Sequence, residues 1–233
     1  AGGRVHALIG NHEAMNILGD LRYVAPGEYA AFRSPRSETL LERAFKALGD
    51  SSRRDDPTYR AEWWAAHPPG WVEHRLAFEG NGKYGTWIRG NQAVIRIDDY
   101  LFLHGGISPA FATTPLPDLN AGVRAGISPG ATTAGLAEDS EGPLWYRGLA
   151  AGPEDSLAAH VDQVLAHHGV RHIVIGHTVT PGAVLPRFGG KVLMIDVGLA
   201  GAYGSGQAAL VVEGGKPRAL HRAIPRAIVQ RHR

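Results

Sequence analysis

The chain has 233 residues, 44% of them hydrophobic and 20% charged, which suits one substantial globular core and excludes a disordered or fibrous protein. It has no cysteine, so disulfides, thiolate metal sites and a cysteine nucleophile are excluded, and any metal must be held by His, Asp, Glu or Asn. The formal net charge is +2, but the arginines are scattered without interleaved aromatics, so no dedicated nucleic-acid patch is expected, and no apolar stretch approaches a membrane span.

In chain order, the apolar run from Val5 to Ile9 predicts a short buried strand ending at Gly10. Residues 26–90 read as a mostly helical insertion. Ser37 is the expected N-cap of a helix with Leu40, Leu41, Phe45 and Leu48 on one stripe. PTYRAEWWAAHPPGWVEHRLAF reads as a helix, a Pro-Pro-Gly break and a second helical piece. QAVIRID and YLFLHGG, joined by a tight turn, predict a β-hairpin. The stretch from Pro115 to Pro143 is rich in small residues, Pro and Gly, and reads as a long surface loop with one short helix. An amphipathic helix over 156–168 leads into the apolar strand IVIGHT. Three short strands follow in KVLMIDVG, QAALVVEGG and PRALHRA, giving an α/β pattern overall.

Three histidines share one context. His12, His104 and His177 each come just after an apolar strand pattern, and each has a glycine nearby, at Gly10, Gly105 and Gly176. Ligands of open α/β sheets gather at the carboxyl ends of strands, and glycine there permits close approach. His167 and His168, by contrast, end a helix, where a cation suits the dipole.

At GNHE, FLHGGIS and IVIGHT the chain resembles the calcineurin-like metallophosphoesterase superfamily, in its phosphoprotein phosphatase type. GNHEAMNILGDLRYV and PLWYRGL are most similar to the bacterial Shewanella-like protein phosphatases. The resemblance implies a metallophosphoesterase-type β-sandwich flanked by helices, with 1–233 forming one catalytic domain. It also implies two divalent metal ions, manganese, iron or zinc. Asn11, His104 and His177 would ligate the second ion, and His12 would act as general acid. Arg147 would hold phosphate oxygens, and Tyr203 would be a substrate contact. Glu13 and Asp20 are expected to be structural.

The chemistry is consistent with those roles. Paired cations about 3.5–4 Å apart bind phosphate and acidify water between them. A guanidinium matches a phosphate fork, and a His titrating near neutrality can protonate a leaving oxygen. The family pattern opens, however, with GDxHG and GDxxDRG elements ahead of GNHE, and only ten residues precede Asn11 here. The N-terminal strands, the first ion's ligands and the bridging ligand are therefore expected to be missing, as in a C-terminal portion of a longer phosphatase, inactive alone. The implied substrate is a phosphorylated protein or small phosphoester. Two alternatives stay open: a dinucleoside polyphosphate hydrolase of the same superfamily, and a non-catalytic phosphate- or partner-binding module.

Overall fold

The computed structural model describes residues 2–221 and the backbone of 224–227. Its chain forms two compact units, one of Met15–Gly90 and one of Ala1–Ala14 with Asn91–Arg233. Arg222 and Ala223, in the last predicted strand, lie outside the described residues.

The first unit is helical. It takes up the end of α1 (Asn11–Leu18) and contains α2 (Pro26–Ala31), α3 (Ser37–Leu48), α4 (Pro57–Ala66), α5 (Trp71–Phe78) and α6 (Lys83–Arg89). Ser37 is not the cap predicted for α3. Arg36 holds that position, and the buried Ser37 hydroxyl instead accepts from Ser34 N at 2.9 Å and binds Glu73. Leu41 and Phe45 are buried as expected, whereas Leu48 stands 68% exposed because the helix stops at Gly49. Leu41, Phe45 and Trp63 form the core, with the Phe45 ring meeting Trp63 and Trp64 edge-on at 5.3 and 5.1 Å. Asp56 caps α4 by accepting from Thr58 N at 2.9 Å, ahead of a proline whose missing N–H would have no partner there anyway. The Pro-Pro-Gly break ends at Gly70, with φ +99°, where a Cβ would stand 1.9 Å from the Tyr29 carbonyl oxygen.

His74 of α5 is 1% exposed and lies among Tyr29, Phe32 and Phe78 at 5.3, 5.0 and 4.6 Å. Its Nδ1 has no hydrogen-bond partner among the described residues. Burial, with Arg75 adding to it against Glu28, pushes its pKa below 6.5. Below that pH the unfolded chain takes up a proton that the folded ring refuses, so stability falls as pH drops from 6.5 toward the folded pKa. Denaturation midpoints measured from pH 7.5 to 5.5 should fall in the parent and fall less in His74→Leu.

In the second unit the predicted strand over Val5–Ile9 reduces to one parallel bridge, Leu8 to Gln92. Ile9 N donates to Gln92 O at 2.9 Å, but one bridge cannot fix five residues, and Val5 is 94% exposed. The hairpin is present as β1 (Val94–Ile97) and β2 (Tyr100–Leu103), antiparallel, with Val94 opposite Leu103 and Ile97 opposite Tyr100. Asp98 turns the chain between them at φ +50°.

The stretch after Pro115 holds the one helix expected, with loop after it, but that helix is core rather than surface. It is α7 (Leu116–Gly126), whose Leu119 and Val123 are wholly buried. Asn120 of α7 accepts from Ala93 N and Val94 N at 2.7 and 3.0 Å. Its amide donates to Val94 O and Leu116 O at 2.8 and 2.9 Å, so one side chain satisfies the start of β1. A short α8 (Gly148–Ala151) precedes α9 (Glu154–His168), which ends at Gly169 in the left-handed region, φ +61°.

Then come β3 (His172–Ile175), β4 (Leu185–Arg187) and β5 (Val192–Met194). The sheet order is β1-β2-β3-β5-β4, with β2, β3 and β5 parallel. The sequence reading missed β4 because Pro186 signals a break, yet proline is tolerated on the edge strand it occupies. A second sheet contains β6 (Ala208–Glu213), β7 (Lys216–His221) and β8 (Ile224–Ala227), all antiparallel. Leu210 of β6 packs on the cluster of Tyr100, Val174 and Leu193, and the Tyr100 hydroxyl donates to Gly215 O at 3.1 Å.

Candidate active site

Three parallel strands end at one edge, and a polar residue follows each. His104 comes directly after β2, His177 two residues after β3, and Asp196 two residues after β5. Asn11 opens α1, with Gly10 N held by the Glu13 carboxylate at 2.9 Å. Glu13 thus caps the helix that presents Asn11, as its structural reading expects, while Asp20 pairs with Arg22.

Asn11, His104 and His177 converge. His104 Nε2 lies 2.7 Å from Asn11 Oδ1 and 3.0 Å from His177 Nδ1. Gly10 makes room for this. A Cβ there would stand 2.6 Å from Glu13 Oε2 and 3.0 Å from His104 Nδ1. Gly105 does the same for the next loop: its N–H donates to Pro143 O at 2.8 Å, and a Cβ would press on the backbone of 143–145 at 3.0 Å. Gly176 differs from that expectation, since the nearest atom to its added Cβ would be His104 O at 3.6 Å.

Both imidazoles are held neutral. Burial, with the charges of His177, His12 and Arg147, lowers the His104 pKa to about 3. Burial, Arg147 and His12 lower that of His177 to about 4, against the opposing pull of Asp196 and the Trp145 carbonyl. His12 is exposed on the first turn of α1, near enough to influence both rings. Arg147, also exposed, donates from Nη1 to His177 O at 3.0 Å and to Thr178 Oγ1 at 2.9 Å.

The last loop is folded on two glycines. A Cβ at Gly206 would stand 1.9 Å from Val197 O. At Gly198, φ +67°, it would stand 3.0 Å from both Val179 Cγ1 and Tyr203 Cβ. Val179, Leu199 and Tyr203 are 39%, 72% and 55% exposed, so this loop and the residue two beyond His177 present apolar surface. Asp196 and Thr178 were missed from the sequence. Asp196 carried the same signal as the histidines, a polar residue closing an apolar strand and followed within two residues by glycine.

The donor set fits one divalent ion. An amide oxygen and two neutral imidazoles already lie within hydrogen-bond distance in sequence, and a ligating ring must be unprotonated. Nitrogen and oxygen donors suit manganese, iron or zinc. Among the described residues no group of three or more His, Cys, Asp or Glu that could hold a metal is present; the candidate donors here are one asparagine and two histidines.

No family model matches the chain. It is 30% identical over 214 residues to an uncharacterized protein of Schizosaccharomyces pombe, covering 90% of the chain and 55% of that protein. It is 25% identical over 221 residues to Shewanella-like protein phosphatase 2 of Arabidopsis thaliana, covering 86% and 54%. Among solved structures, a cold-active protein tyrosine phosphatase matches with a TM-score of 0.66 and 28% identity, over 96% of the chain and 56% of the other. A cold-active protein-tyrosine phosphatase of a psychrophilic Shewanella matches at 0.65 and 27%, over 96% and 58%. The chain spans about half the length of the curated relatives it matches. The resemblance to Shewanella-like protein phosphatases therefore holds in sequence and in fold.

Proposed function

We propose that the chain carries one metal-binding half of a phosphatase active site, acting on phosphomonoesters of protein side chains, with phosphotyrosine the preferred one. The observation that carries this is the convergence of Asn11, His104 and His177 at the ends of separate elements, with His12 and Arg147 beside them. The β-sandwich and the pair of ions belong to the same reading.

A divalent ion held by Asn11 Oδ1, His104 Nε2 and His177 Nδ1 would supply Lewis acidity toward a phosphoryl oxygen. The chain's own residues do the rest. Arg147 has Nη1 committed to the His177 turn, and its other guanidinium nitrogens take phosphate oxygens. His12, on the exposed side of the donor cluster, gives a proton to the leaving oxygen. Val179, Leu199 and Tyr203 offer an apolar lip to an aromatic leaving group, and both structural neighbours are named as tyrosine phosphatases. Burying part of a ring there is worth about 1.4 kcal/mol, or roughly tenfold.

The test is kcat/KM of manganese-loaded protein that also carries the first ion's site, on phosphotyrosine and phosphoserine peptides of one sequence, with diadenosine tetraphosphate alongside. A preference of about tenfold for phosphotyrosine is expected. Faster turnover of diadenosine tetraphosphate would move the protein to the dinucleoside polyphosphate hydrolases. Phosphate binding without turnover of any of the three would make it a binding module.

A further inference from the structure

His177 sits at φ +61°, in the left-handed region that residues with a Cβ rarely adopt, and Thr178 N–H reaches back to Gly176 O at 2.6 Å. A three-residue turn thus closes around the very residue whose Nδ1 points at His104. Such a conformation persists only when its surroundings over-determine it. Here the surroundings are specific. Arg147 Nη1 holds the turn at two points, the His177 carbonyl oxygen and Thr178 Oγ1, at 3.0 and 2.9 Å. On the ring side, the Trp145 ring packs against the imidazole at 5.8 Å, nearly perpendicular. Trp145 and Arg147 lie on one segment, which Gly105 admits to the site by lacking a side chain.

We propose that Thr178 is a positioning residue: with Arg147 it clamps the left-handed turn so that His177 Nδ1 stays aimed at His104 Nε2, the atom that also meets Asn11 Oδ1. Arg147 then has two tasks, since the guanidinium offered to phosphate is the one that fixes a metal donor. A lysine in its place would supply a point charge without a planar fork shared between turn and substrate. The proposal rests on the phosphatase reading in one respect, the assignment of Asn11, His104 and His177 as metal donors.

The test is calorimetric titration of the protein with Mn2+, using Thr178→Val, which keeps the shape and removes the hydroxyl, Thr178→Ser, which restores it, and His104→Ala. Loss of an outer partner of a ligating His typically weakens metal binding 10–100-fold, so Thr178→Val should bind Mn2+ about tenfold more weakly. Thr178→Ser should return to the parent value. Wild-type affinity in Thr178→Val, with binding lost in His104→Ala, would overturn the clamp and leave the donor assignment standing. Unchanged binding in His104→Ala would overturn both. A second readout needs no metal: nitrogen NMR of the His177 ring should show Nδ1 unprotonated in the parent and a tautomer mixture in Thr178→Val. Identical spectra would count against the clamp.

Discussion

In Mn2+ titrations of this chain, alanine at His104 should abolish binding and alanine at His12 should leave it unchanged. In protein that also carries the first ion's site, alanine at His12 should lower turnover about 10²–10⁴-fold. The difference follows from position. His104 Nε2 is the atom that meets both Asn11 Oδ1 and His177 Nδ1, so its loss leaves two donors with no common neighbour. His12 follows Asn11 on the first turn of α1, but its side chain is exposed whereas that of Asn11 is buried. Metal content by mass spectrometry and kcat on an aryl phosphate separate the two. If both variants lost metal alike, His12 would be a ligand and the protonation role would fall. His177→Ala should follow His104→Ala.

The second large effect is structural. Asn120→Leu should destabilise the α/β unit by about 3 kcal/mol, because the near-isosteric swap opens no cavity but strips partners from buried backbone groups costing roughly 1–3 kcal/mol each. Ala93 N, Val94 N and Val94 O all lose the amide that now satisfies them, and Leu116 O loses a donor. Denaturant titration measures the change. A loss below 1 kcal/mol would mean that water replaces the amide. The effect matters because β1 is an outer strand of its sheet, and Asn120 acts there as a short surrogate for a neighbouring strand.

Much of this was legible in sequence where a side-chain pattern directly reports burial. YLFLHGG and IVIGHT are nearly uninterrupted apolar runs, as parallel strands buried on both faces require, and both end on the histidines that meet in space. The pairing of HPPG with a helix break was equally plain, since Gly70 sits against the Tyr29 carbonyl where no side chain fits. The misses have physical reasons. Val5–Ile9 is apolar enough for a strand, but strand formation depends on a partner ladder, and the described chain gives it one bridge. The burial of α7 was hidden by its glycines and prolines, although Leu119 and Val123 keep helical spacing and are fully buried. Thr178 could not be read at all, because its importance lies in a hydroxyl meeting an arginine 31 residues away.

The left-handed backbone at His177 has a further consequence. Glycine would relieve that turn at no steric cost, whereas histidine holds it at an expense of order 1–3 kcal/mol. Natural drift toward stability at this position therefore runs directly against retention of the imidazole. Under the phosphatase reading, histidine there sets chemistry above thermostability, and the two hydrogen bonds from Arg147 hold the turn that carries it.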